Sequence, residues 1–258
     1  MNNILYDMIF KRKSFHLFRN IGNEHITEDE LKEIENEFNN FKPLVEDIEV
    51  KIKIVKDSTT CKRGQEYCIL LYSEKKDNYL QNIGYIGEQL DLYLVSKNIG
   101  TLWFGIGKVE EKQLDGLDFV IMIAIAKIDD ETKFRKDMYK SKRKELSEIW
   151  NGDFYLDIAN IVRFTPSACN TQPWFVESSE KELKVYKADG GFNCVMSEMG
   201  ETTYTFNFKT YLFDAGLGIS ITSAMSLIVI GLYWGFVKKK QEKVQTSRKI
   251  KIIKNKAK

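Results

Sequence analysis

Two short stretches hold the side chains best suited to chemistry. Arg12, Lys13, Ser14 and His16 follow the first apolar-periodic segment. Arg offers a planar fork of donors to phosphate oxygens, Lys a point charge and Ser a hydroxyl, so the group suits a phosphate ester. A short basic run equally suits an ordinary helix end, where Lys and Arg meet solvent and the terminal carbonyls. The second stretch, Thr165-Pro-Ser-Ala-Cys-Asn-Thr-Gln-Pro-Trp174, uses two of the three prolines in ten residues. Pro fixes φ, Ser and Asn bond nearby backbone, and the Asn170 and Gln172 amides present donor and acceptor together. Such amides match the edge of a heterocycle that alternates C=O and N–H groups. A turn leading into a strand, with Trp174 filling a core, explains Trp174 well and the loop poorly.

Other chemistry has little material. Two histidines, His16 and His25, cannot build a His-rich metal centre, and neither has a Ser or Cys nucleophile and an orienting group nearby. The four cysteines, Cys61, Cys68, Cys169 and Cys194, lack zinc-type pairing, so no metal is expected. Chemistry is therefore expected on a bound cofactor. Free thiols and the lack of an apolar leader point to the cytoplasm. A net charge of +2 over 258 residues offers no chain-wide attraction for nucleic acid.

The elements that must position these groups alternate in type. Ile4–Phe10 reads as a short helix, and Thr27-Glu-Asp-Glu30 is a capping box opening a second that carries Leu31, Ile34, Phe38 and Phe41 on one face. Ile48, Val50, Ile52 and Ile54 alternate with polar residues as in a half-buried strand, and 67–72 is a more buried one. Leu80, Ile83, Ile86, Leu90 and Leu94 mark an amphipathic helix stopping at 98–100, before strands near 101–104 and 119–126. The class is α+β. Residues 215–237 carry no charge and precede Lys238-Lys239-Lys240, the outline of a membrane span. Four glycines and four hydroxyl side chains within them favour a buried helix-turn-strand instead. Residues 238–258 hold ten of the 39 Lys and Arg against one of the 37 acids, leaving the body acidic by seven charges.

A fixed offset of 131 residues links Ile99-Gly-Thr-Leu-Trp103 to Ile230-Gly-Leu-Tyr-Trp234, and Lys11-Arg-Lys-Ser14 to Lys142-Arg-Lys-Glu145. The apolar strand at 119–126 maps onto Ile250–Ile253 in the same way. Two copies of one α+β unit are expected, over 1–135 and 136–258. The 215–237 run then pairs with the soluble helix before Trp103.

Ile9-x-x-Arg12-Lys13-Ser14-x-His16-x-Phe18 and Pro166-Ser167-x-x-Asn170-x-Gln172-Pro173-Trp174 resemble the two signatures of the nitroreductase-like FMN flavoproteins. Ordinary members carry both in one domain and bind FMN at a homodimer interface. Here the first half keeps the phosphate signature and has a helix end at 35–43 where the loop belongs. The second half keeps the loop and has Glu145 in place of Ser. This division is similar to the family's tandem branch, in which two degenerate copies form a pseudodimer within one chain. The resemblance implies one FMN site between the halves. Arg12, Lys13 and Ser14 would bind phosphate, with His16 in a position usually held by Arg or Lys. Pro166, Ser167, Asn170 and Gln172 would approach the flavin pyrimidine edge, and Gly105 and Gly107 would bring backbone N–H groups to the ring. Arg143 and Lys144 are either a second phosphate clamp or a relic of the repeat. The implied activity is NAD(P)H-driven reduction of a small nitroaromatic or quinone acceptor by a ping-pong cycle. A flavin-binding module without turnover and a tail-anchored membrane protein are the alternatives.

Overall fold

A computed structural model describes residues 3–136, 142–187 and 203–204. The apolar run at 215–237 and the Ile250–Ile253 segment lie outside them. The first helix, α1 (Asn3–Lys11), and the second, α2 (Glu28–Phe38), fall where their patterns predict. Thr27 accepts from the Glu30 N–H while the Glu30 carboxylate accepts from the Thr27 N–H, closing the capping box. A five-stranded antiparallel sheet follows, built from β1 (Val50–Val55), β2 (Tyr67–Ser73), β3 (Ile99–Phe104), β4 (Gln113–Leu114) and β5 (Leu117–Lys127). Its order is β1-β2-β5-β3, with β4 also paired to β5, so β5 is central and buried along most of its length.

The helix α3 (Tyr79–Ser96) departs from expectation. Its apolar stripe predicts one buried face, yet every residue from Leu80 to Val95 is buried, including Gln81, Asn82, Glu88, Gln89 and Asp91. A helix enclosed on all sides must satisfy its polar groups inside the protein. Asn82 Oδ1 accepts from the Leu44 and Val45 N–H groups and Gln89 donates to the Lys42 carbonyl, while Asn82 Nδ2 has no partner among the described residues.

The second part carries α4 (Leu146–Ile149), β6 (Trp150–Asn151), α5 (Leu156–Val162), β7 (Trp174–Ser178), β8 (Leu183–Lys187) and β9 (Thr203–Tyr204). They form a sheet of order β6-β7-β8-β9, with β6 parallel to β7 and the rest antiparallel. Trp174, fully buried at the start of β7, anchors this core with Val176, Val185 and Trp150, so filling a core is its role. Ile161 of α5 instead joins the main cluster around α3, with Ile83, Leu90 and Ile123. That contact ties the second part to the first.

Candidate functional site

Where α1 ends, the chain turns to run beside β3. The Ser14 backbone bridges Thr101 in parallel, and the Phe15 N–H donates to the Thr101 carbonyl at 2.9 Å. This geometry turns the Arg12 side chain inward, to 4% exposure. Its Nε donates to Asp91 Oδ2 at 2.7 Å. The same carboxylate accepts from Thr101 Oγ1 at 2.6 Å and from Trp103 Nε1 at 2.7 Å, so Asp91 joins α1, α3 and β3 at one point. Gly87 is what lets the indole reach across: a Cβ there would sit 2.5 Å from Trp103 Cη2.

Glu88, one helical turn before Asp91, is fully buried with its Oε1 3.9 Å from Arg12 Nε, and neither carboxyl oxygen has a hydrogen-bond partner among the described residues. Burial pushes its carboxyl up to about 8, against the pull of Arg12. Burial also works against the Arg12 charge, but Asp91 and Glu88 outweigh it and hold the guanidinium above its ordinary range.

Arg143 has a different setting. Its guanidinium donates to the Thr165 carbonyl at 2.8 Å and to the Phe164 carbonyl at 3.3 Å, which are neutral acceptors. Burial, then the charges of Arg135 and Arg12, pull it down to about 9, with only Glu88 opposing. Arg135 is drawn down to about 10 by burial and by Arg12. Its N–H donates to the Lys11 carbonyl, which pins it to the end of α1, and its guanidinium lies over the Phe164 ring at 5.6 Å. Three guanidinium groups thus crowd one region, Arg12 buried and Arg135 and Arg143 half-buried. One of their own nitrogens, Arg12 Nη2, and the nearby Thr165 Oγ1 are buried without a hydrogen-bond partner among the described residues.

The loop from 165 to 173 is strained. Cys169, Asn170 and Gln172 take φ values of 50°, 57° and 50°, the left-handed region that side chains avoid. Internal bonds hold it there. The Gln172 N–H donates to Ser167 Oγ at 3.0 Å, and Gln172 Nε2 to the Asn170 carbonyl at 3.0 Å. Gln172 Oε1 accepts from the Lys144 N–H at 2.8 Å, and Asn170 Nδ2 donates to the Lys142 carbonyl at 2.6 Å. The buried Gln172 amide therefore clamps the loop to the 142–145 segment. Pro166 and Ser167 are half-buried, and Asn170 is exposed.

The predicted site residues divide into groups. Arg12, Arg143, Lys144 and the loop come together. Lys13 points away, its Nζ on the Lys133 carbonyl at 2.7 Å, and His16 is exposed. Gly105 and Gly107 follow β3 in a turn closed by the Gly107 N–H on the Phe104 carbonyl at 3.2 Å. Sequence reasoning missed Glu88, Asp91 and Arg135. A signal existed for the first two, because they are the two charged residues of α3. Among the described residues no group of three His, Cys, Asp or Glu could hold a metal, and no helix is long and apolar enough to cross a membrane.

The family described as putative TM nitroreductase matches residues 4–208. The chain belongs to this nitroreductase family, and so to a family of oxidoreductases. A solved putative nitroreductase from Thermotoga maritima is 18% identical, with a TM-score of 0.53 over 88% of this chain and 83% of the other, which fixes the nitroreductase-like α+β fold. A Clostridium difficile nitroreductase family protein is 11% identical over 60% of this chain and 99% of its own, at a TM-score of 0.45. A nitroreductase with bound FMN from Desulfitobacterium hafniense is 14% identical over 56% and 100%, at 0.39. No protein of curated function matches the chain.

Proposed function

We propose that this nitroreductase-family chain is an FMN-dependent oxidoreductase in which NAD(P)H is the reductant and a small nitroaromatic or quinone the acceptor. The observation that carries the reading is the guanidinium cluster, with Arg143 depressed to about 9 and the buried Arg12 Nη2 and Thr165 Oγ1 lacking partners among the described residues. Such a cluster is electrostatically incomplete and fits a phosphate monoester, which supplies negative charge and several acceptor oxygens at once. Arg12, Arg135 and Arg143 would hold the FMN phosphate, with the Ser14 hydroxyl at the edge of β3 and the Lys144 ammonium beside the loop. His16 and Lys13 would act at the rim, as long-range charge.

When bound, FMN supplies the two-electron chemistry between the nicotinamide and the acceptor. The chain's own contribution is placement. The strained Ser167–Gln172 loop would set Ser167 and Asn170 against the polar edge of the ring, with Pro166 fixing the approach. The turn through Gly105 and Gly107 would close the other side, where the lack of a Cβ allows close approach.

The reading extends to architecture: residues 1–135 and 136–258 act as two degenerate copies forming a pseudodimer. Arg12 and Arg143, 131 positions apart, come near enough to influence one another's charge, and Ile161 packs into the core around α3. These observations support one shared site.

The test is spectroscopic. Purified protein, or protein incubated with FMN and then desalted, should show flavin absorption bands and oxidise NAD(P)H in the presence of a nitroaromatic. Protein that stays colourless after FMN incubation overturns the reading. Bound flavin without NAD(P)H oxidation leaves only a flavin-holding module.

A further inference from the structure

Asp91 and Glu88 stand one helical turn apart on α3, and their carboxyl groups are treated differently. Asp91 accepts from Arg12 Nε, Thr101 Oγ1 and Trp103 Nε1. Both oxygens of Glu88 are buried without a hydrogen-bond partner among the described residues, and its Oε1 stands 3.9 Å from an Arg12 Nε already committed to Asp91 at 2.7 Å. A carboxylate enclosed without donors is far costlier than a neutral acid, so this setting keeps a proton on Glu88. The charges that face it are Arg12 at the end of α1, Asp91 on its own helix and Arg143 ahead of α4, with Arg135 acting on both arginines.

We infer that Glu88 is a positioning residue that couples anion binding at the arginine cluster to a proton: the phosphate is held while the Glu88 carboxyl is neutral, and ionising that carboxyl loosens it. The inference rests on the phosphate reading of the cluster and adds a regulation of that site. Three guanidinium charges against the Asp91 carboxylate leave a charge of two, the match for a phosphate monoester dianion. An ionised Glu88 cancels half of that and competes with the phosphate for Arg12.

The direction of the pH effect follows. In the protein alone, burial keeps Glu88 protonated up to about 8. A phosphate on the arginines adds negative charge nearby and holds the proton to higher pH still. Between those two points binding takes up a proton, so affinity falls as pH rises. The phosphate is itself a dianion there, since its second ionisation lies near about 6. Arg143, drawn down to about 9, adds a smaller loss at the upper end.

FMN titrations of the full chain between pH 7 and pH 9, followed by flavin fluorescence, test the coupling. Across that range the Kd of the parent should rise about tenfold through Glu88 and about twofold more through Arg143. In Glu88→Gln, which keeps the shape and cannot ionise, only the smaller rise should remain. Calorimetry in two buffers of different ionisation enthalpy should find about half a proton taken up per FMN by the parent at pH 8, and almost none by the variant. Infrared spectra add a signature that a merely structural role does not move. A neutral-carboxyl C=O band, absent from Glu88→Gln, should fade in the parent as pH passes about 8 and survive to higher pH with FMN bound. Proton uptake and the pH profile of the parent need no variant to fold. A flat parent profile, an equal slope in parent and variant, or no proton uptake overturns the inference and leaves the flavin site in place. FMN that binds at no pH overturns the flavin reading and this inference together.

Discussion

Arg12 and Arg143 each stand in a Lys-Arg-Lys run, 131 residues apart, and the protein treats them oppositely. Arg12 faces Asp91 and Glu88, and its charge is held above the ordinary range. Arg143 faces two carbonyls and two other arginines, and burial pulls it down to about 9. The difference lies in the partner helix. In the first part α3 brings two carboxyl groups to the signature arginine, while Arg143 meets only backbone acceptors. Arg12 is therefore anchored through its Nε by an ion pair that leaves Nη2 without a partner among the described residues, whereas Arg143 is bonded only to neutral carbonyls. The same residue type in a similar local sequence takes a different charge setting when the opposing element changes.

Breaking the first ion pair should have the largest effect. Asp91→Asn strips the carboxylate that satisfies Arg12, Thr101 and Trp103, leaving a buried guanidinium next to a largely neutral Glu88. Loss of one partner of a buried pair typically costs about 3–5 kcal/mol, readable as a lower urea midpoint. A change below about 1 kcal/mol would mean that Arg12 escapes to solvent.

Glu88 sharpens the contrast through pH. The folded carboxyl keeps its proton to about 8, while the unfolded chain releases it in the usual range near 4.5. Between those values the folded state binds more protons, so stability should fall as pH rises, by up to about 1.4 kcal/mol per unit. Glu88→Gln should flatten that slope between pH 5 and 8, roughly the window set by the two values. An unchanged slope places the titration elsewhere.

Arg143→Gln tests the other arginine. Folded Arg143 loses its proton near 9 and the unfolded chain only in the higher, ordinary arginine range, so between them the unfolded state binds more protons and stability rises with pH. Below 9 the whole penalty is present. Removing the charge should leave the urea midpoint at pH 7 at or above that of the parent while weakening FMN about tenfold or more, roughly 1.4 kcal/mol. Unchanged FMN affinity would make Arg143 a relic of the repeat. Lys13→Ala, on an exposed side chain with one carbonyl contact, should shift stability by less than about 0.5 kcal/mol and affinity little.

Much of the frame was legible. The Thr27 capping box, the alternation through β1, the buried run of β5 and the Pro-rich loop before Trp174 were all readable because each rests on local pattern and period. α3 was legible as a helix but not as an enclosed one: its apolar stripe explains one face, and only neighbours on the other face bury Glu88 and Asp91. The loop was legible as rigid. That its Gln172 amide turns inward to the Lys144 N–H depends on a segment 28 residues away, beyond any local rule.

By itself the sequence determined the elements, the two signatures and the offset between them, because backbone preference and hydrophobic period are properties of neighbouring residues. Tertiary structure decided which charges meet. Arg12 and Asp91 are 79 positions apart, and Arg12 and Arg143 farther still, so whether each guanidinium finds a carboxylate, a carbonyl or another arginine is set by packing. In a low-dielectric interior that choice of partner fixes both the charge and the role.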